Sequence, residues 1–328
     1  MIRTLSFVII CLITSFFTVV NNIHVLFKDR KDISDTINKW YSCIFYILVN
    51  FYNVNLYITY DFFEFINDKS DFVMISNHIS EIDYIFLLSI QSFRDKKICI
   101  VLKNALRYIF GGLGWACWLN DFIFVKRNFD KDKNYIENKL KQEDNKNVLI
   151  FPEGTIFCDS TIMRNMNYCL QNEILPFQYV LNPKTKGCEL IQENISSKTV
   201  YDVTLLYDKM PYVKRKLDYT IKNIVNHDLL PYNVFINIEK LDCILKDDLY
   251  GIFERKDEFI KNFNKNKNIN HIKLGTNKKD LLNTIFIILN SMMGMYLFYV
   301  SNFYRYYVFF YTVCIYTFMF IDDKFKLF

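Results

Sequence analysis

Hydrophobic residues are distributed in two regimes along this chain: long uncharged runs at the ends, and short bursts between polar stretches in the middle. Residues 5–20 (LSFVIICLITSFFTVV) reach the lower limit of the roughly 17 to 25 residues a helix needs to span a bilayer. No small-x-small cleavage pattern separates them from the polar run at 28–32, so they are read as a retained anchor rather than a signal peptide. Residues 40–51 (WYSCIFYILVNF) are too short to span. Their aromatic ends suit a helix lying in the membrane interface, and a buried core helix fits the same pattern equally well. Residues 281–300 and 306–321 are apolar runs separated only by residues 301–305, which predicts a tight transmembrane hairpin.

Between these ends the pattern changes to strand-length segments rich in Ile, Val, Phe and Tyr at 72–76, 97–102, 122–126, 147–151, 199–207 and 233–239. Helical runs are expected at 81–92, 131–142, 159–172 and 246–265. Strands alternating with helices predict an α/β fold with a single sheet flanked by helices, carrying an N-terminal membrane anchor and a C-terminal transmembrane hairpin. The expected division is 1–60 for the anchor and interfacial helix, 61–270 for the α/β domain and 271–328 for the hairpin.

Composition sharpens this picture only in places. Of 328 residues, 52% are hydrophobic, and their concentration at the ends points to a bilayer as a partner. A net charge of +5 is too small an excess to suggest nucleic acid. Lys261, Lys265, Lys267, Lys273, Lys278 and Lys279 precede the hairpin and Lys324 and Lys326 follow it, while the connection holds only Arg305. The bias of basic residues toward the cytosolic side then places both flanks, and the α/β domain with them, in the cytosol. The nine cysteines are scattered without CxxC spacing, so neither a disulfide framework nor a metal site is expected.

Two segments carry candidate chemistry. FVMISNHISEIDYIF, residues 72–86, sets His78 just past a strand and Asp83 five residues on at the start of a helix, where a turn can return the carboxylate to the imidazole. That spacing is weak evidence alone, since a histidine there also serves as a cap or a buried structural group. FPEGT, residues 151–155, also follows a strand, and Gly154 permits close approach of backbone to a ligand. Two such strand-end loops are what a site at the edge of an α/β sheet requires.

In order, NHISEID (77–83), KNALRYIFGGLGWACWLNDFIFVKR (103–127) and FPEGT (151–155) resemble the first three motif blocks of the glycerolipid acyltransferase family that includes lysophosphatidate acyltransferases. LPFQYVLNPKTKG (175–187), VYDVTLLY (200–207) and DLYGIFERKDEFIKNF (248–263) are similar to the eukaryotic branch with lysocardiolipin and lysophosphatidylinositol acyltransferases. The resemblance implies acyl-CoA as co-substrate without a further cofactor, a lysophospholipid acceptor, and a multi-pass protein of the endoplasmic reticulum membrane. It also implies His78 as general base and Asp83 as the carboxylate that orients it. The amides of 153–155 become candidates for the oxyanion. Lys103 and Arg127 stand where the family places cations for the acceptor phosphate, and Glu153, Gly154 and Thr155 would contact the glycerol part or fix the loop. One departure stands out: many members have Arg directly after EGT, and this chain has Ile156. Two rival readings are a catalytically silent membrane scaffold and a hydrolase that releases acyl chains to water.

Overall fold

A computed structural model describes residues 2–21, 30–94, 96–109, 112–142, 147–195, 197–208, 219–266 and 271–325. In chain order its first half contains helices α1 (Ile2–Val20) and α2 (Arg30–Asn50), strand β1 (Asn55–Ile58), α3 (Phe62–Asn67), β2 (Phe72–Ser76), α4 (Asp83–Gln91), β3 (Cys99–Lys103), α5 (Leu113–Leu119), β4 (Ile123–Val125), α6 (Phe129–Gln142) and β5 (Asn147–Ile150). The second half contains α7 (Asp159–Gln171), α8 (Thr185–Ile195), β6 (Thr199–Tyr207), α9 (Ile221–Asn226), β7 (Asn233–Asp242), α10 (Leu245–Asn266), β8 (Ile272–Lys273), α11 (Lys278–Val300) and α12 (Asn302–Phe325).

The described strands form one mixed sheet in the order β4-β3-β5-β2-β6-β7-β1-β8. From β4 to β6 all neighbours run parallel. β7 then turns the direction round, pairing antiparallel with β6 from Thr199↔Asp242 to Tyr207↔Val234. The central strand β2 (FVMIS) is buried at every position, as expected of a parallel strand covered on both faces. β7 instead alternates half-buried and buried residues through its first six positions.

Helix α8 packs on β2, with α6 and α10 beside it. From α10 the fully buried Lys256 reaches β6, where its ammonium donates to Asp202 Oδ1 (2.5 Å), Val203 O (2.7 Å) and Thr204 Oγ1 (3.1 Å). With three acceptors answered, this charge pins helix to strand, and removing one partner would leave the other buried and uncompensated.

A second helical group gathers round α2, which touches α1, α4, α5 and α11. Trp40, Tyr41, Ile44, Phe45 and Leu48 are all buried within it, so the 40–51 segment is a core helix and the interfacial alternative falls away. Its polar atoms are answered locally: Trp40 Nε1 donates to Thr14 Oγ1 (3.0 Å) and Ser42 Oγ to Asp280 Oδ1 (2.7 Å). Helix α1 is fastened at its start. Arg3 donates to Leu230 O (2.7 Å) and Tyr52 O (2.7 Å) and lies over the Tyr232 ring, and Asp228 accepts from Thr4 N (2.8 Å).

Two described helices, α1 and α11, are long and apolar enough to cross a membrane. The expected C-terminal pair exists, α11 and α12 meeting at Ser301, but only α11 qualifies as a span. The uncharged run of α12, residues 306–321, is bounded by Arg305 and Asp322 and carries four tyrosines, which lower its apolar character. Tyr307 and Tyr311 turn their hydroxyls to Val20 O (2.6 Å) and Val19 O (3.2 Å) at the end of α1, so α12 packs on protein along that side. The outer face of α11 is strongly apolar and exposed, with Leu282, Leu289, Met292, Met293 and Tyr296 among its residues.

Gly112 tests this arrangement. It lies at φ +85°, and a Cβ there would stand 2.6 Å from Phe16 Cα and 2.7 Å from Phe16 N, both backbone atoms of α1. Gly112→Ala should destabilise the protein by roughly 2 to 5 kcal/mol, from left-handed strain plus overpacking. Gly275→Ala, with nothing within 4 Å of the added Cβ, is the matched control and should be nearly neutral. Thermal unfolding in detergent measures both, and equal midpoints would show that α1 does not press on the 112 turn.

Candidate active site

Five parallel strands deliver every candidate residue to one edge of the sheet. Reading across their carboxyl ends from β4 to β6, the edge presents Arg127, Lys103, the 151–155 loop, the 77–83 loop and Tyr207. Neighbouring strands lie about 4.8 Å apart, so the edge from β4 to β6 spans roughly 19 Å.

At its centre His78 and Asp83 come together. Asp83 opens α4 and is wholly buried. Its Oδ2 accepts from His78 Nδ1 (2.9 Å), Ile79 N (2.7 Å) and Ser80 N (3.0 Å), and its Oδ1 accepts from the Tyr207 hydroxyl. A carboxylate facing Nδ1 selects the tautomer protonated there, which leaves the Nε2 lone pair available. The imidazole stacks on Phe151 with centroids 4.3 Å apart, and 20% of the His78 side chain is accessible. The imidazole is therefore held on one side by Asp83 and remains partly accessible on the other.

Glu153 has a different task from its buried neighbour. Its Oε1 accepts from His78 N (2.8 Å) and its Oε2 from Leu181 N (3.1 Å), so the carboxyl group stitches the 151–155 loop to the histidine loop and to the segment before α8. Complete burial, opposed by those two amides, pushes its pKa up to about 8. Gly154 adopts φ +68° and donates its amide to Phe151 O (2.9 Å), which removes that amide from the candidate oxyanion donors. Thr155 is half-buried, whereas Ile156 is turned inward and only 9% exposed.

Lys103 and Arg127 stand further along the edge. Arg127 is held at φ +62° by Asp132, which accepts from Lys126 N (2.9 Å) on one side and Asn128 N (3.0 Å) on the other. A non-glycine residue in that region costs about 1 to 2 kcal/mol, which the clamp offsets. Partial burial, and then the like charge of Arg164 on α7, lower the Arg127 pKa. Sequence reasoning overlooked Tyr207 and the Leu181 amide, although both lie inside segments it had singled out. Strand order alone identifies Tyr207, the last residue of the strand beside β2.

The raised Glu153 pKa has a sign that can be checked. In the unfolded chain this carboxyl ionises near its ordinary value of 4.5, while the folded protein keeps the proton to about 8. Its contribution to stability is therefore complete below about 4.5 and is lost as pH rises through 8. Glu153→Gln cannot titrate, so its melting temperature relative to wild type should improve between about pH 5 and 8 and level off above that. A difference that stays constant over that range would show that Glu153 is ionised throughout.

Residues 58–203 match the family model described as Acyltransferase. Lysocardiolipin acyltransferase 1 of Gallus gallus is 33% identical over 158 residues, 44% of this chain and 41% of the relative. The probable 1-acyl-sn-glycerol-3-phosphate acyltransferase 5 of Arabidopsis thaliana is 26% identical over 74% of this chain and 68% of its own length. The alignments thus span about two fifths to two thirds of these relatives. A crystal structure of the 1-acyl-sn-glycerophosphate acyltransferase of Thermotoga maritima superposes with a TM-score of 0.47 at 18% identity, over 79% of this chain and 98% of that one. The motif blocks around His78 and Glu153 fall within the matched region, so it is through residues 58–203 that the chain is similar to the acyltransferase family.

Proposed function

We propose that this chain transfers a fatty acyl group from acyl-CoA to the free hydroxyl of a lysophospholipid, most simply lysophosphatidate to phosphatidate, with lysocardiolipin or lysophosphatidylinositol as alternative acceptors. The observation that carries the reading is the His78–Asp83 pair: a buried carboxylate on Nδ1 at 2.9 Å and an imidazole whose other nitrogen is left to act. An alcohol is too weak an acid to attack a thioester unaided at neutral pH, so a positioned base is the first requirement.

In the proposed reaction His78 Nε2 takes the acceptor's hydroxyl proton as its oxygen bonds to the thioester carbonyl carbon. Asp83 stabilises the imidazolium that forms. The carbonyl electrons move onto oxygen, then return as the carbon–sulfur bond breaks, and the departing thiolate of CoA receives the proton from His78. No acyl-enzyme is formed. With the Gly154 amide engaged, the Thr155 amide is the preferred oxyanion donor of the 153–155 turn, and Glu153 serves by holding that turn against the base. Lys103 and Arg127 form a positive rim for the anionic parts of the two substrates. The two apolar helices support membrane association. We place the protein in the endoplasmic reticulum membrane with the sheet on the cytosolic side.

His78→Ala should lower acyl transfer by about 10² to 10⁴, and Asp83→Asn should impair it strongly. Purified protein assayed with labelled acyl-CoA against a panel of lysolipids measures both effects and ranks the acceptors. A folded His78→Ala protein that kept more than about a tenth of the activity would defeat the mechanism, and acyl release undiminished without acceptor would make the protein a hydrolase. The protein should also resist alkaline carbonate extraction, and a C-terminal tag should be digested by protease added outside sealed vesicles. Protection of that tag would contradict the cytosolic placement.

A further inference from the structure

Lys184 lies against the 151–155 turn, and although it falls within the 175–187 segment and the 58–203 match, neither assigns it a role. Gly154 faces it. A Cβ added to Gly154 would meet Lys184 Nζ at 3.4 Å, Cδ at 3.7 Å and Cε at 3.8 Å, so the lysine side chain runs along the open face of the 151–155 turn. That same turn stacks Phe151 on the His78 ring and bonds Glu153 to the His78 amide.

The root of the side chain is anchored from both loops. Lys184 N donates to Pro152 O (2.9 Å), and three residues earlier Leu181 N donates to Glu153 Oε2 (3.1 Å). Asn182 is tied reciprocally to Asn165 of α7, giving to Oδ1 through its amide (3.1 Å) and accepting from Nδ2 (2.9 Å). The lysine itself is exposed and has no ion-pair partner among the described residues. A positive charge is thus held over the Gly154 turn, with no carboxylate paired to it among the described residues. The neighbouring inward position, Ile156, supplies no charge at all.

Distance then sorts the cations of the edge. In a lysophospholipid with a free 2-hydroxyl, four bonds separate the attacking oxygen from phosphorus, a span of at most about 6 Å at roughly 1.5 Å a bond. The 151–155 loop leaves β5, one strand from β2, whereas Arg127 follows β4, three strands and about 14 Å away. An acceptor whose hydroxyl is at His78 brings its phosphate within reach of the Gly154 side of the edge first.

We propose that Lys184 binds the phosphate of the acceptor and so selects phosphate-bearing lysolipids, a reading that rests on the lysophospholipid acyltransfer proposed above. The ammonium acts as a point charge on the phosphate while the hydroxyl lies at Nε2, and Gly154 lacks a side chain so that lysine and ligand can share the space over the turn.

Full-length wild-type protein, Lys184→Ala, Lys184→Arg and Arg127→Ala should be compared in detergent micelles, with lysophosphatidate and with monoacylglycerol as acceptors. Lys184→Ala should raise the lysophosphatidate KM by about ten- to a hundredfold, with kcat falling much less. Lys184→Arg should recover most of the loss. The KM for acyl-CoA, and activity toward monoacylglycerol, which has no phosphate, should change little. An unchanged lysophosphatidate KM in Lys184→Ala, or a rise seen only in Arg127→Ala, overturns the proposal, as does a shift confined to the acyl-CoA KM. Direct titration of lysophosphatidate into the non-reacting His78→Ala protein, with and without Lys184→Ala, separates this idea from the acyltransfer reading. Weaker binding on loss of the lysine supports the site even where wild type transfers no acyl group. Normal turnover with binding insensitive to the lysine leaves acyltransfer standing and removes Lys184.

Discussion

Asp83 is taken entirely out of water, and a carboxylate so placed has to be answered by donors or give up its charge. Leaving it bare would cost several kcal/mol, and each charge-assisted bond returns about 1.5 to 3. Four donors converge on it, from the Ile79 and Ser80 amides, the His78 ring and the Tyr207 hydroxyl. The shape of the 77–83 loop follows from that demand. Two amides turn inward because the carboxylate needs them, and the turn they make is what carries the imidazole back over the start of α4. The orientation of the imidazole is thus a by-product of satisfying a buried polar group.

Glu153 shows the same residue chemistry put to a different use a few ångströms along the edge. It too is buried and accepts from backbone amides, but its donors come from two separate segments, and among the described residues no side chain donates to it. Where Asp83 shapes one loop, Glu153 joins three, so that the parallel strands β2 and β5 and the segment leading to α8 present one continuous surface. Its burial is only half compensated, which is why its proton is retained so far above the ordinary range. The edge contains one acid that orients the histidine ring and another that holds loops together.

How far the sequence alone reaches depends on the range of the interaction. Strands β2 and β6 occupy the residues expected from their apolar runs, and four of the longer helices lie within a few residues of their expected bounds, because those signals are local. Strand β1 (NLYI) and the two-residue β8 were not legible, being too short for alternation to show, and their place depends on pairing with β7 and with each other. Helix α8 (TKGCELIQENI) was missed because its buried Cys188, Leu190, Ile191 and Ile195 are interleaved with polar residues in a segment read only for its motif. For 40–51 the pattern could not choose between bilayer and core, since both reward the same apolar face, and only the neighbours decide. In the site, His78 and Asp83 were recoverable because a five-residue turn joins them. Tyr207 reaches Asp83 across 124 positions of sequence, a distance no local pattern encodes.

The reversal of direction at β7 has a consequence for where the lipid meets the protein. Beyond β6 the edge that carries the histidine is continued by the starts of β7 and β1, Asn233 and Asn55, not by strand ends. The peptide just ahead of those starts, around Tyr52 and Leu230, is what Arg3 grips at the first turn of α1. The reacting edge and the beginning of an apolar helix are therefore locked at one level. With α1 seated in a bilayer, that level becomes a depth: the histidine lies near the plane where the helix enters, at the height of lipid headgroups. On the proposed function, a lysolipid offers its hydroxyl by sliding sideways, its tail never leaving the hydrocarbon, and the large cost of lifting an acyl chain into water does not enter the barrier.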